Sequence, residues 1–213
     1  MESNEVKNIY CVGRNYKNHA KELGNAIPSS PLIFTKPSHS LQSSEGEVSL
    51  PFQLGEIQYE VEIVVKLAGP YQDYMPLHTI IKEMAIGIDF TARDLQHNLK
   101  EKGHPWTLAK GFKGAAVISP FIPFPGEQTF QQLQFSLYKQ EKVVQTGSPQ
   151  NMLFSIRDII SYIDTHLGTG KDDIIFTGTP EGVGAVNSGD SFKMELINPI
   201  DEQVHYFGPL VIS

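Results

Sequence analysis

Gln58-Tyr59-Glu60-Val61-Glu62-Ile63-Val64-Val65 reads as a strand. Ile57, Tyr59, Val61, Ile63 and Val65 recur at every second position, the period of a half-buried strand, and the run is expected to extend from Ile57 to Leu67 before Gly69-Pro70. Glu60 and Glu62 share the opposite face, roughly 7 Å apart at about 3.3 Å per residue. Adjacent carboxylates repel. A mid-strand pair therefore calls for full solvation or a bridging cation, and a bridging cation calls for a third ligand.

Working downstream, Leu77, Ile80, Ile81 and Met84 follow helical spacing and predict a helix over 77–85. Ile86 to Phe90 then reads as a strand entering Thr91-Ala92-Arg93-Asp94. Thr91 and Asp94 resemble a capping box opening a helix through about Glu101, which gives Asp94 a structural role. Asp89 lies inside an apolar segment, where an acid needs a partner. It is the candidate third ligand. Three carboxylates without cysteine suit Mg²⁺, Mn²⁺ or Ca²⁺ rather than Zn²⁺, and they leave room in the coordination shell for water or a bidentate substrate.

Working upstream, Asn8 to Val12 reads as a strand and Tyr16 to Leu23 as a short helix stopped by Gly24. His19 and Glu22 share a face of that helix; the spacing fits a general base oriented by a carboxylate and equally fits a plain surface pair. Leu32-Ile33-Phe34 is a brief strand ending in Thr35-Lys36-Pro37, where Lys36 either meets an anion or is solvated. Residues 38–47 read as a loop, as do 102–112, which hold the single tryptophan. Within the second loop Lys110 sits between small and apolar residues. It is a candidate partner for a substrate oxyanion, the alternative being a lysine that reaches solvent. Spacing does not separate His97 and His104 from surface histidines.

The C-terminal half alternates similarly. Residues 121–125 are punctuated by proline, as a loop or edge strand is. Residues 134–139 and 142–147 read as a hairpin, 155–166 as an amphipathic helix, and 173–176 as a strand. Thr177-Gly178-Thr179-Pro180-Glu181-Gly182-Val183-Gly184 follows, without the order of a phosphate loop. Its glycines let backbone approach a ligand and Thr179 offers a hydroxyl; a tight surface turn is the alternative. Residues 191–197 and 203–207 read as a closing strand pair.

With 213 residues, 40% hydrophobic and 19% charged, the chain has the composition of an ordinary globular protein. A formal charge of −7 and a pI near 5.5 argue against nucleic acid or an anionic membrane as partner. The single cysteine, Cys11, allows neither an intrachain disulfide nor a cysteine metal cluster. No apolar run approaches the roughly 20 residues of a membrane span, and Met1 to Glu5 is polar and acidic, unlike a signal peptide. A cytoplasmic protein of one domain, 1–213, is expected. The residues alone reach as far as a metal-assisted enzyme acting on a small anionic molecule.

Four segments together resemble the fumarylacetoacetate hydrolase family, in particular its short single-domain members of the acylpyruvase and oxaloacetate decarboxylase type. They are Gly13-Arg14-Asn15-Tyr16 with His19 and Glu22, then Tyr59-Glu60-Val61-Glu62, then Asp89 to Gln96 followed by Pro105 to Lys110, and finally Thr177 to Gly184. The resemblance implies an α+β, mostly β fold, a mixed β-roll with barrel-like sheets and short peripheral helices, paired into homodimers. It implies Mg²⁺ or Mn²⁺ on Glu60, Glu62 and Asp89. It makes His19 and Glu22 the catalytic dyad, carried on a lid segment spanning 14–24, places Lys110 and Thr179 on the substrate, and puts Arg14 and Gln96 near the substrate carboxylate. The implied activity is hydrolysis of the C–C bond of acylpyruvates, decarboxylation of oxaloacetate, or both, through a metal-stabilised enolate of a small 2-oxo acid. An isomerase or decarboxylase of 2-hydroxydienoic diacids is the alternative within this chemistry. A non-catalytic divalent-metal-binding protein is the alternative outside it. One departure is local: many relatives carry an aspartate soon after the lysine, where this chain has Lys113, so position 113 is not counted as catalytic.

Overall fold

Val61 to Leu67 is buried at every residue, so the strand is covered on both faces rather than one. The alternation still holds, because the two faces feed two different apolar clusters. Val61, Ile63, Val65 and Leu67 join the main core, and Val64 joins a smaller cluster with Cys11, Ala85 and Phe176. The computed structural model describes residues 6–22, 24 and 26–213.

The fold is mostly β. In chain order the first elements are β1 (Ile9–Gly13), α1 (Lys17–Glu22), β2 (Leu32–Lys36), β3 (Leu41–Ser43), β4 (Gly46–Val48), β5 (Ile57–Tyr59) and β6 (Val61–Leu67). Then come α2 (Leu77–Ile80), β7 (Ile81–Asp89), β8 (Thr91–Ala92), α3 (Arg93–Glu101), α4 (Thr107–Lys110), β9 (Ala116–Ile118), β10 (Ile122–Pro123) and α5 (Glu127–Gln132). The rest are β11 (Gln134–Lys139), β12 (Lys142–Gly147), α6 (Ile156–Leu167), β13 (Ile174–Phe176), β14 (Gly184–Ala185), β15 (Ser191–Asn198) and β16 (Gln203–Ile212).

The largest sheet runs β2-β1-β13-β6-β7-β9-β3, with β10 also paired to β7. A second runs β12-β11-β15-β16-β4, and a small one runs β14-β5-β8. The predicted strand 57–67 is therefore two strands in two sheets. Its break is Glu60, whose carbonyl accepts the Asp89 amide at 2.8 Å while the next amide, Val61, donates to the Gln145 side chain at 2.9 Å. Register pairs Glu62 with Gly87 and Val64 with Ala85, so Glu62, Val64, Ala85 and Asp89 look onto the same side.

Several expectations are corrected. The helix predicted over 77–85 stops at Ile80, and the next nine residues form β7. Leu77, Ile80, Ile81 and Met84 are all buried, so their apolar identity fits either period; pairing of Met84 with Val65 and Ile86 with Ile63 decides for the strand. The stretch 38–47 is not only loop: β3 and β4 lie in it, each pairing in parallel, with β9 and β16 respectively. The second loop, 102–112, contains the single turn α4. The predicted end of the first helix at Leu23 lies outside the described residues, as do Met1 to Glu5. The hairpin, the helix after Ser155 and the closing strands are where the periodicity places them.

Candidate metal centre and active site

Glu60, Glu62 and Asp89 are all buried, and each contributes a carboxylate oxygen such that these oxygens lie within 4.8 Å of one another. The break between β5 and β6 brings Glu60 to this point, the inward face of β6 brings Glu62, and the last residue of β7 brings Asp89. Burial of three acids needs compensation. Lys110 supplies part of it: its Nζ donates to Glu60 Oε2 and Asp89 Oδ2, both at 2.7 Å, and to the Thr91 hydroxyl at 2.6 Å. Lys36 supplies more. Its ammonium lies 2.6 Å from Asp89 Oδ1 and donates to the carbonyls of Lys110 and Ala115. Arg93 completes the set by donating to Glu60, to Gln58 at 2.6 Å and to Gln96 at 2.7 Å.

The carboxyls are not compensated alike. Burial pushes the Glu60 carboxyl up, but Lys110 and Arg93, with His19 behind them, outweigh it and hold the group well below the usual carboxylate range. Burial also pushes Glu62 up, and there the charges of Asp89 and Glu60 push the same way, leaving it well above that range. Its hydrogen bond comes from the Gly178 amide at 2.7 Å, and among the described residues no lysine or arginine pairs with it. Gly178 has φ +101°, and a Cβ there would stand 2.7 Å from the Asn15 Cβ, so a glycine is what lets this amide reach Glu62. Lys110 is itself held in its charged form: burial works against the ammonium, and Asp89 and Glu60 overcome it.

This donor set fits a hard divalent cation. All three side-chain ligands are oxygens, they converge, and one of them carries a charge that the protein's own cations leave unbalanced. Glu60, Glu62 and Asp89 would hold the ion.

The remaining sequence candidates converge on the same place. A cavity of about 510 Å³ above the carboxylates is lined by Arg14, His19, Gln96, Lys110 and Thr179 as well as by all three acids. His19 is buried, with Nδ1 3.4 Å from Glu22 Oε2. Glu22 does not line the cavity; it accepts the Gly182 amide at 3.1 and 3.3 Å, which ties the helix to the glycine-rich segment. Gln96 is buried and oriented by Arg93. Thr179 accepts a hydrogen bond from Gln145 at 2.9 Å.

The capping box expected at Thr91 and Asp94 does not form. Thr91 accepts from Lys110 instead, and Asp94 Oδ2 accepts the Glu56 amide at 2.9 Å, so the acid pins the approach to β5 rather than capping α3. Three supporting residues, Arg93, Gln145 and Asn15, had no assigned role in the sequence, and Lys36 had been read only as meeting an anion or solvated. Lys36 ends a brief strand with Phe34 on its own face, the one local sign that it points inward. Arg93 and Gln145 carry no such sign, since their partners lie 33 and 84 residues away at Glu60 and Val61. Asn15 binds Thr177 O at 2.8 Å and the Phe154 amide at 2.9 Å, docking the turn before α1.

Comparison with known proteins agrees with this geometry. The family model described as fumarylacetoacetate (FAA) hydrolase C-terminal matches residues 8–210. An Arabidopsis thaliana protein named oxaloacetate tautomerase FAHD1, mitochondrial, is 38% identical over 85% of this chain and 82% of its own. A Dictyostelium discoideum protein named oxaloacetate decarboxylase, mitochondrial, is 36% identical over 88% and 87%. Among solved structures, a fumarylacetoacetate isomerase/hydrolase homologue from Oleispira antarctica superposes with TM-score 0.89 at 36% identity, covering 97% of this chain and 94% of its own. Fumarylpyruvate hydrolase from Pseudomonas aeruginosa, in complex with Mn²⁺ and pyruvate, superposes with TM-score 0.84 at 30% identity, covering 98% and 91%. The expectation of a cytoplasmic protein is corrected: both sequence relatives are named as mitochondrial, and the polar start of the chain was no guide to compartment. On matching sequence, fold and convergent acids, the chain belongs to the fumarylacetoacetate hydrolase family.

Proposed function

We propose that this protein is a divalent-metal-dependent enzyme that acts on small 2-oxo acids through an enolate, hydrolysing acylpyruvates, decarboxylating or tautomerising oxaloacetate, or both. The observation that carries the reading is the convergence of Glu60, Glu62 and Asp89 beneath a cavity that also receives His19. Mg²⁺ or Mn²⁺ bound there would supply Lewis-acid charge for an enolate developing on the substrate. The names of the relatives and the Mn²⁺ and pyruvate of the Pseudomonas structure support the same substrate class.

The chain's own residues do the rest. Lys110 is buried and fixed by three oxygens, so its positive charge is already in place where an enolate oxygen gains charge. His19 is the proton acceptor for an attacking water, and Glu22 orients its ring through Nδ1. The glycine-rich segment sets that dyad by donating the Gly182 amide to Glu22. Thr179 and Gln96, each oriented by a neighbour, bind polar groups of the substrate. Loss of CO₂ from oxaloacetate gives the pyruvate enolate that acylpyruvate hydrolysis also gives, and movement of a C3 proton gives the enolate of oxaloacetate itself; neither needs an attacking water, so His19 is the residue on which hydrolysis and decarboxylation part. A purely structural metal site would leave His19, Lys110 and Thr179 together in one cavity without a task.

The test is turnover of acetylpyruvate and oxaloacetate with Mg²⁺, with and without chelator. Turnover that disappears with chelator and returns with metal is expected; no turnover of either compound would overturn the reading. His19→Ala is expected to lower acetylpyruvate hydrolysis by roughly 10²–10⁴-fold with metal affinity unchanged. Loss of metal in that variant would remove His19 from the role of base.

A further inference from the structure

β12 packs against the glycine-rich segment, and one of its side chains reaches the site from behind. The register of the β11–β12 hairpin shifts between Leu137 and Tyr138, which leaves Val144 as an extra residue on β12. Gln145, opposite the buried Leu137, points inward beside that bulge and is itself buried. The contact is close. A Cβ on Gly182 would stand 2.4 Å from the Val144 carbonyl oxygen and 3.3 Å from the Gln145 Cγ, so this side chain has little room to move.

Its amide has one workable orientation. The Val61 N–H can only donate, so the atom that meets it at 2.9 Å is Oε1. The Pro180 carbonyl can only accept, so the atom that meets it at 3.0 Å is Nε2. The second Nε2 hydrogen goes to Thr179 Oγ1 at 2.9 Å. Thr179 therefore accepts from Gln145 and must place its own hydroxyl hydrogen elsewhere. Among the described residues no oxygen takes that hydrogen, and the side chain is buried on the cavity wall. A buried hydroxyl hydrogen without an acceptor costs stability until a ligand supplies one.

We infer that Gln145 is a positioning residue: it makes the Thr179 hydroxyl a fixed hydrogen-bond donor toward the substrate, so that this corner of the cavity takes an oxygen that accepts and disfavours a group that only donates. The inference rests on the proposed 2-oxo acid function. It adds the sense of the Thr179 hydrogen bond and the residue that sets it. Gln145 does not line the cavity and acts through Thr179 alone. Its other end is tied to Val61, between Glu60 and Glu62. One side chain thus fixes the donor relative to the backbone that carries two of the three acids.

The test is a double-mutant cycle read by calorimetric titration of pyruvate, a small 2-oxo acid, in the presence of Mg²⁺. Thr179→Val removes the donor and should weaken binding roughly tenfold, as loss of one hydrogen bond to a charged group does. Gln145→Met lets the hydroxyl turn to the Pro180 carbonyl and should weaken binding roughly fivefold. In the Thr179→Val background the same change should alter affinity less than about twofold, because the group it acts through is gone. A merely structural role would instead give additive losses. Gln145→Glu keeps the Val61 bond but accepts the Thr179 hydrogen, turning the hydroxyl's lone pairs to the substrate. It should weaken binding more than Gln145→Met does. If Gln145→Met does not fold, Gln145→Glu carries the cycle, with a loss at least about threefold larger beside Thr179 than beside Val. Additive losses, or a Gln145→Glu variant that binds pyruvate as well as wild type, overturn the positioning role and leave the function standing. Absence of pyruvate binding by wild type overturns both.

Discussion

Glu62 meets two carboxylates and one backbone amide, and its imbalance has measurable consequences. Its folded pKa is raised above the ordinary 4.5 by burial and by Asp89 and Glu60. The stability contributed by the protonated group is thus fully present below about pH 4.5 and is lost as the pH climbs through the raised folded value. In chelator, wild type should lose thermal stability as the pH rises above about 4.5, and Glu62→Gln should lose less. At alkaline pH the variant should melt higher than wild type. A variant that melts lower than wild type at acid and alkaline pH alike would contradict the charge imbalance. Lys36 gives the opposite sign. Lys36→Met leaves Asp89 Oδ1 and two carbonyls facing an apolar side chain, a loss of roughly 3–5 kcal/mol for a broken buried pair. A melting point lowered by roughly 6–20 °C is expected, and a shift under about 2 °C would show that Asp89 does not depend on it.

Elements differ in how openly the sequence announces them. Helix α6 is the clearest: Ile156, Ile159, Ile160 and Ile163 are all buried, Ser155 and Asp158 close a capping box, and Gly168 ends the helix at φ +82°. Each of these signals lies within a few residues of the structure it causes. Ser155→Ala should therefore cost about 1 kcal/mol, or roughly 2–4 °C by thermal melting, and leave turnover unchanged. A change in turnover would mean that the helix acts on the site. The capping box at Thr91 and Asp94 failed for the complementary reason. Both side chains had stronger partners far off in sequence, Lys110 for one and the Glu56 amide for the other. The helix predicted over 77–85 was cut short at Ile80 likewise, because β6 pairs with the residues after it that helical spacing had claimed.

Across the whole molecule, legibility follows the range of the interaction. The acidic pair on one strand and Asp89 after an apolar run could be read as ligands because burying an acid in a strand demands a reason. Their convergence could not, since it depends on the break at Glu60 and on β6 pairing with β7. The charges that hold the acids came from Lys36, Arg93 and Lys110, on β2, α3 and α4; Lys110 had been marked as a site residue, Lys36 only as meeting an anion or solvated, and Arg93 not at all. The glycine-rich segment looked like either a turn or a ligand loop. It supports the ligand end of the sheet, giving one amide to Glu62 and another to Glu22. Everything about the proposed chemistry depends on whether these acids bind a divalent ion. The direct measurement is Mn²⁺ binding by electron paramagnetic resonance to chelator-stripped wild type and Glu62→Gln, the variant expected to stay folded. The account predicts one Mn²⁺ per wild-type chain, displaced by Mg²⁺, and none in the variant. Equal Mn²⁺ binding by both, or none by wild type, would contradict it.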